Sequence, residues 1–156
     1  FDEEKFLHDE VTAKALTGLE EFTVFERTWA LPTFEIHGIR GGFTGDGAKT
    51  VIPATAMAKV SMRLVPDQHP GRIAELFEAY VKKIAPKTVE LKVSRLHGAF
   101  PWMTDFDNVY VQAAGRALEK GFGKRPVFTR EGGSIPVVAD FQKALNVPVV
   151  VPQSKG

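Results

Sequence analysis

A chain of 156 residues with 44% hydrophobic and 25% charged side chains can bury one good core, or two small ones sharing an interface. Its formal net charge of +1 removes the electrostatic argument for a nucleic-acid or membrane partner. The absence of cysteine excludes disulfides and thiolate metal sites and fits a cytoplasmic protein, and no apolar run approaches the ~20 residues that span a bilayer.

The chain opens at Phe1, without Met, directly into a helical pattern, DEEKFLHDEVTAKAL. It closes on VPVVVPQSKG straight after an apolar strand, so both ends read as cuts in something longer. EEFTVFERTWALPT reads as irregular and FEIHGI as a short alternating strand. Gly41 to Gly47 holds four glycines in seven residues, which makes RGGFTGDGAKTVIP a loop. AMAKVSMRLVP alternates, with Ala58, Val60, Met62 and Leu64 on one face and Lys59, Ser61 and Arg63 on the other, as in a half-buried strand. From Gly71 to Ala85 the apolar residues Ile73, Leu76, Phe77, Tyr80, Val81 and Ile84 form an amphipathic stripe that ends at Pro86. TVELKVSRLHG is a further alternating strand.

Strand, strand, helix, strand with antiparallel pairing is most of an α+β, ferredoxin-like two-layer sandwich, short of one strand and one helix at its beginning. The pattern changes between residues 97 and 100. AFPWMTDFDN carries turn residues, and Asp107 or Asn108 can cap a helix with a stripe of Tyr110, Ala113, Ala114, Ala117, Leu118 and Gly121. PVFTR, a Gly-Gly-Ser turn, a helix opened by Pro136 and VPVVV then give an α/β run, the last strand apolar throughout as buried parallel strands are. Two units are therefore expected, 1–97 and 98–156.

Few polar residues suggest chemistry. Arg63, mid-strand, has a fork that fits a carboxylate, although a solvated face beside Lys59 accounts for it equally. His97 ends a strand just before Gly98, and Thr50 follows the glycine loop. Both are places a ligand can reach, and both are also ordinary places for these residue types. Gly133 and Ser134 form a turn ahead of a helix start, where backbone N–H groups favour an anion. No serine, histidine and aspartate stand at a spacing for nucleophilic catalysis. His8, His37, His69 and His97 are scattered, with no metal-ligand spacing. GGFTGDGAKT lacks the spacing of a phosphate-binding loop and leads into a strand.

Three stretches together, IHGIRGGFTGDGAKTVIPATAMAKVSMRLVPDQHP, LHGAFPWMTDFDN and TREGGSIPVV, resemble the M20 metallopeptidase family, nearest to its carnosinase-like dipeptidase branch. The resemblance runs from Leu31 to Val151. It implies a dinuclear hydrolase of dipeptides or N-acyl amino acids with two divalent ions, zinc or manganese, whose ferredoxin-like lid is inserted in the catalytic domain and forms a homodimer. In such an enzyme a water held by the metals attacks the scissile carbonyl, a carboxylate takes its proton, and a histidine from across the dimer stabilises the oxyanion.

Carried over to this chain, the resemblance makes residues 1–97 the lid, lacking its first strand and helix, and 98–156 a C-terminal part of the catalytic domain. It implies that Arg63 and His97 reach the substrate, Arg63 gripping a carboxylate. Thr50 would enter the partner subunit's site, and Gly133 with Ser134 would hold the substrate's C-terminal carboxylate or backbone. The family's H-x-D motif, its Glu-Glu pair and its last metal-ligating histidine find no counterpart in this sequence. The expectation is therefore a substrate-binding fragment without catalytic residues, metal ligands or cofactors of its own. The alternative is a dimerisation or binding module with no chemistry.

Overall fold

Two segments pair into the sheet: β1 (Glu35–Gly41) and β2 (Ala56–Ser61) run antiparallel, with Glu35 opposite Ser61 and Gly41 opposite Ala56. The computed structural model describes residues 3–12, 14–130 and 135–152. The alternation read over FEIHGI breaks at His37. Ile36 faces Val60 and Gly38 faces Lys59, so His37 is an extra residue, a β-bulge. Beyond Ser61 the pairing is carried on by Thr33 and Arg63. The Thr33 N–H donates to the Arg63 carbonyl at 3.0 Å, and the Arg63 N–H donates to the Thr33 hydroxyl at 3.1 Å. The Glu35 carboxylate accepts from the hydroxyls of Thr33 and Ser61 and fastens the two strands at this end.

Helix α3 (Pro70–Ile84) meets the chain just ahead of β1, its Phe77 ring 5.9 Å from that of Phe34, while Ile36 and Ile39 of β1 stay exposed. Its start follows from the sequence: the His69 ring accepts the Gly71 N–H at 3.2 Å, and Pro70 occupies the first turn, where a missing N–H costs nothing. The expected stripe divides into two rows. Ile73, Phe77 and Val81 are half-buried, while Leu76, Tyr80 and Ile84 remain 49%, 62% and 58% exposed.

Two expectations for the first thirty residues need correction. In place of one long helix, a single turn α1 (Glu3–Lys5) widens into a π-helix (Phe6–Val11) and stops at Thr12, whose φ of 53° is left-handed. No residue of it is buried, so no packing draws the helix further. In the stretch read as irregular, α2 (Val24–Trp29) is opened by a capping box: the Thr23 hydroxyl accepts from the Glu26 N–H, and the Glu26 carboxylate accepts from the Thr23 N–H at 2.8 Å.

The three other segments read as strands, 88–98, 126–130 and 147–151, have no ladder partner among the described residues. The fold is thus α+β with a small sheet, and the remaining strands of a ferredoxin-like sandwich are not among its ladders. Each segment is held in a different way. Arg95 bonds to Glu78 of α3, Pro126 and Phe128 lie over Gly115, and the Val149 carbonyl accepts from the Thr104 hydroxyl at 2.8 Å.

Helix α4 (Val109–Phe122) is capped by the Asn108 side chain and closed by left-handed Gly123. Its buried residues are Val111 and Gly115, with Ala114 and Leu118 half-buried, while Tyr110, Ala113, Ala117 and Gly121 are exposed. The stripe is rotated from the expected one because Pro126 and Phe128 pack over Gly115, where even a Cβ would stand at an ordinary contact distance, 3.6 Å, from the proline ring. Helix α5 (Pro136–Leu145) begins at the expected proline and ends at left-handed Asn146. Among the described residues the buried apolar side chains are Val24, Val111 and Val138, each still touched by solvent. The chain exposes 13306 Å², whereas a compact monomer of this size exposes about 7,800 Å².

Because α2 has only six residues, its cap matters disproportionately. Replacing Thr23 with Ala is expected to cost about 1 kcal/mol. The Glu26 amide should then exchange with solvent about fivefold faster, as measured by hydrogen exchange, while α4 amides keep their rates.

Candidate functional site

The candidate residues divide between the two ends of the β1–β2 hairpin. Arg63 lies just past β2, fixed at its backbone by Thr33, with its side chain exposed and making no ion pair with a described residue. From there the chain turns through Val65 to Gln68, where the Gln68 side-chain oxygen accepts the Val65 N–H at 3.1 Å, and enters α3 at His69. His97 returns to this same helix end: its neighbour Gly98 sits against Pro70, and Phe100 meets the His69 ring edge-on at 5.0 Å. The fold therefore brings His97 back beside the N-terminal end of α3, while Arg63 lies six residues ahead of the capping His69 in the chain.

Thr50 is at the other end. It lies in the loop joining β1 to β2, beyond Gly41 and ahead of Ala56. Six or seven strand residues span ~20 Å, so this loop leaves the hairpin ~20 Å from the end where Arg63 lies. Within the loop Phe43 lies over Gly45, and Lys49 stands 5.6 Å from the Phe43 ring centre, a cation–π contact next to Thr50. Gly133 and Ser134 lie outside the described residues.

Two residues that sequence reading passed over organise the His97 side. Glu78, on α3, accepts from Lys82 at 2.7 Å on one oxygen and from Arg95 at 3.2 and 2.8 Å on the other. The Glu78–Lys82 pair was readable as a helical i, i+4 spacing; Arg95 joins only through the tertiary fold. The Lys82 and Arg95 hydrogen bonds hold the Glu78 carboxyl below the ordinary glutamate range.

The chain belongs to the M20 peptidase family. The family's peptidase dimerisation domain matches residues 5–89. Over 84% of its length the chain is 35% identical to the Cys-Gly metallodipeptidase of Schizosaccharomyces pombe, and over 79% it is 33% identical to the human Beta-Ala-His dipeptidase. It spans 28% and 25% of the length of those relatives. Among solved structures it aligns with an M20 family metallo-carboxypeptidase from Sulfolobus solfataricus at a TM-score of 0.78 and 28% identity, over 94% of this chain and 32% of that one. Human carnosine dipeptidase 1 aligns at a TM-score of 0.73 and 30% identity, over 94% of this chain and 31% of that one. The resemblance drawn from the three motifs is thereby confirmed.

Metal use is implied by the metallodipeptidase relatives. The described residues of this chain do not fit a metal centre: no three His, Asp or Glu side chains among them come together as ligands. His69 is committed to capping α3, and His37 stands in the bulge. Among the candidate residues, Arg63 and His97 are both exposed.

The lowered Glu78 carboxyl gives a pH dependence of definite sign. A folded-state value below the ordinary 4.5 adds stability that is complete above that ordinary value and disappears as the pH falls through the lowered one. Thermal unfolding of wild type and Glu78→Gln, followed from about pH 7 to about pH 2, should show the two curves converging in acid.

Proposed function

We propose that this chain is the substrate-gripping, dimer-forming part of an M20 dipeptidase or N-acyl-amino-acid hydrolase. The observation that carries the proposal is that the loop bearing Thr50 leaves the hairpin at the end opposite Arg63. If all three meet one small substrate, Thr50 has to come from a second copy. Arg63 then clamps the substrate carboxylate through its fork, and His97 contacts the substrate from the end of α3. Gly133 and Ser134 supply further anion contacts, and Thr50 of each subunit completes the other's site. Residues 1–97 serve as the lid, a ferredoxin-like sandwich once its remaining strands are in place, and 98–156 belong to the catalytic domain.

The two divalent ions, zinc or manganese, would belong to the whole enzyme, where they would supply Lewis-acid chemistry. Their ligands come from elsewhere in the protein, so this chain alone should hydrolyse nothing. A cytoplasmic setting suits a chain without cysteine. The exposed row Leu76, Tyr80 and Ile84 and the large open surface support a homodimer, since surface of this kind is usually covered by other polypeptide. The same features, with the absence of a ligand cluster among the described residues, also support the plainer reading of a pairing module without chemistry.

A panel of small dipeptides and N-acyl amino acids separates the two. The whole enzyme should release amino acids and lose that activity to a chelator, whereas a pairing module would release none. In the same assay Arg63→Lys keeps the charge and loses the fork, so catalytic efficiency should fall about tenfold or more. Wild-type kinetics in that variant would exclude the clamp.

Mixing tests the shared site. Thr50→Ala and Arg63→Ala homodimers, each of low activity, should regain about one quarter of wild-type activity on subunit exchange. Half of the dimers are then mixed, and each mixed dimer has one intact site. No recovery, with exchange verified by sedimentation or mass spectrometry, would place Thr50 outside the partner's site.

A further inference from the structure

His97 is bracketed by contacts to α3 that it does not make itself. Two residues before it, Arg95 donates both Nε–H and Nη2–H to the same Glu78 oxygen, at 3.2 and 2.8 Å. One residue after it, Gly98 lies so close to Pro70 that a Cβ would stand 3.2 Å from the proline Cβ. Glu78 and Pro70 are eight residues apart on the helix, ~12 Å along its axis. The three residues from Arg95 to Gly98 reach at most ~11 Å when fully extended. The Arg95 and Glu78 side chains bridge the difference, so the two contacts flank His97 along the helix and hold the chain on both sides of it.

We propose that Arg95 is a positioning residue: its two bonds to Glu78, acting with the Gly98 seat on Pro70, hold the chain against α3 on both sides of His97 and fix where its imidazole is presented. The value of that placement for substrate rests on the reading of His97 given above; the placement itself does not. Lys82 provides an internal control. It binds the other oxygen of the same carboxylate, at 2.7 Å, and lies on α3 itself. Removing Lys82 thus removes a partner of Glu78 and leaves the tether to residue 95 in place.

The test compares Arg95→Gln with Lys82→Gln. In histidine-selective NMR spectra of the chain, the His97 ring signal is identified as the one lost in His97→Ala. Arg95→Gln should shift and broaden it and Lys82→Gln should leave it alone, with Arg95→Lys, which keeps the charge and part of the contact, in between. In the whole enzyme Arg95→Gln should raise KM about fivefold or more while Lys82→Gln does not, and should add nothing in a His97→Ala background. Equal displacement of the His97 signal by both glutamine variants, or by neither, overturns the proposal. If Arg95→Gln moves the signal while KM is unchanged in both Arg95→Gln and His97→Ala, the tether stands and the substrate role of His97 falls. Should Arg95→Gln fail to fold, Arg95→Lys against Lys82→Gln decides the same question.

Discussion

The pairing of β1 with β2 is the constraint from which the rest of the described structure hangs. It is the one ladder among the described residues, and Arg63 and Thr50 are placed by reference to it. Arg63 is held because its backbone continues the pairing through Thr33, and Thr50 because it belongs to the connection at the far end. Helix α3 is oriented by its contact with Phe34 at the β1 entrance, and it in turn carries His97 by way of Glu78 and Pro70. The Glu35 carboxylate, shared between the hydroxyls of Thr33 and Ser61, is therefore a small contact with wide reach. It closes the pair at the end where Arg63 departs.

How much of this was legible in the sequence depended on whether the signal was local. The limits of α3 were readable from Pro70 and Pro86, the cap of α4 from Asn108, and the start of α5 from Pro136, because each acts within one turn of the chain. The capping box at Thr23 and Glu26 was equally local and was overlooked in favour of the weak hydrophobic pattern around it. Side-chain alternation in TVELKVSRLHG, in contrast, says which residues share a face and nothing about a hydrogen-bonding neighbour. That neighbour is a tertiary property, and here the segment lies along a helix instead. The α4 stripe shows the same limit: two apolar rows were available, and the approach of Pro126 and Phe128 to Gly115 chose between them.

For the site, residue types were readable and their grouping was not. His97 stands 27 positions beyond Pro70 in sequence and comes back beside it only because α3 returns the chain. With only three buried apolar side chains among the described residues, discrete polar ties such as Arg95 to Glu78 stand out beside a small interior.

The bulge at His37 has a consequence for how this family segment tolerates changes in length. Elsewhere in β1, deleting a residue would turn every later side chain to the opposite face and carry Ile39 away from its place across from Ala58. At the bulge the residue is supernumerary, so its loss leaves the pleat before and after it in phase. His37 is thus a point of slack in a strand that is otherwise fixed in register. Insertions and deletions among related chains should accumulate at this point, and so should differences in how strongly the hairpin twists.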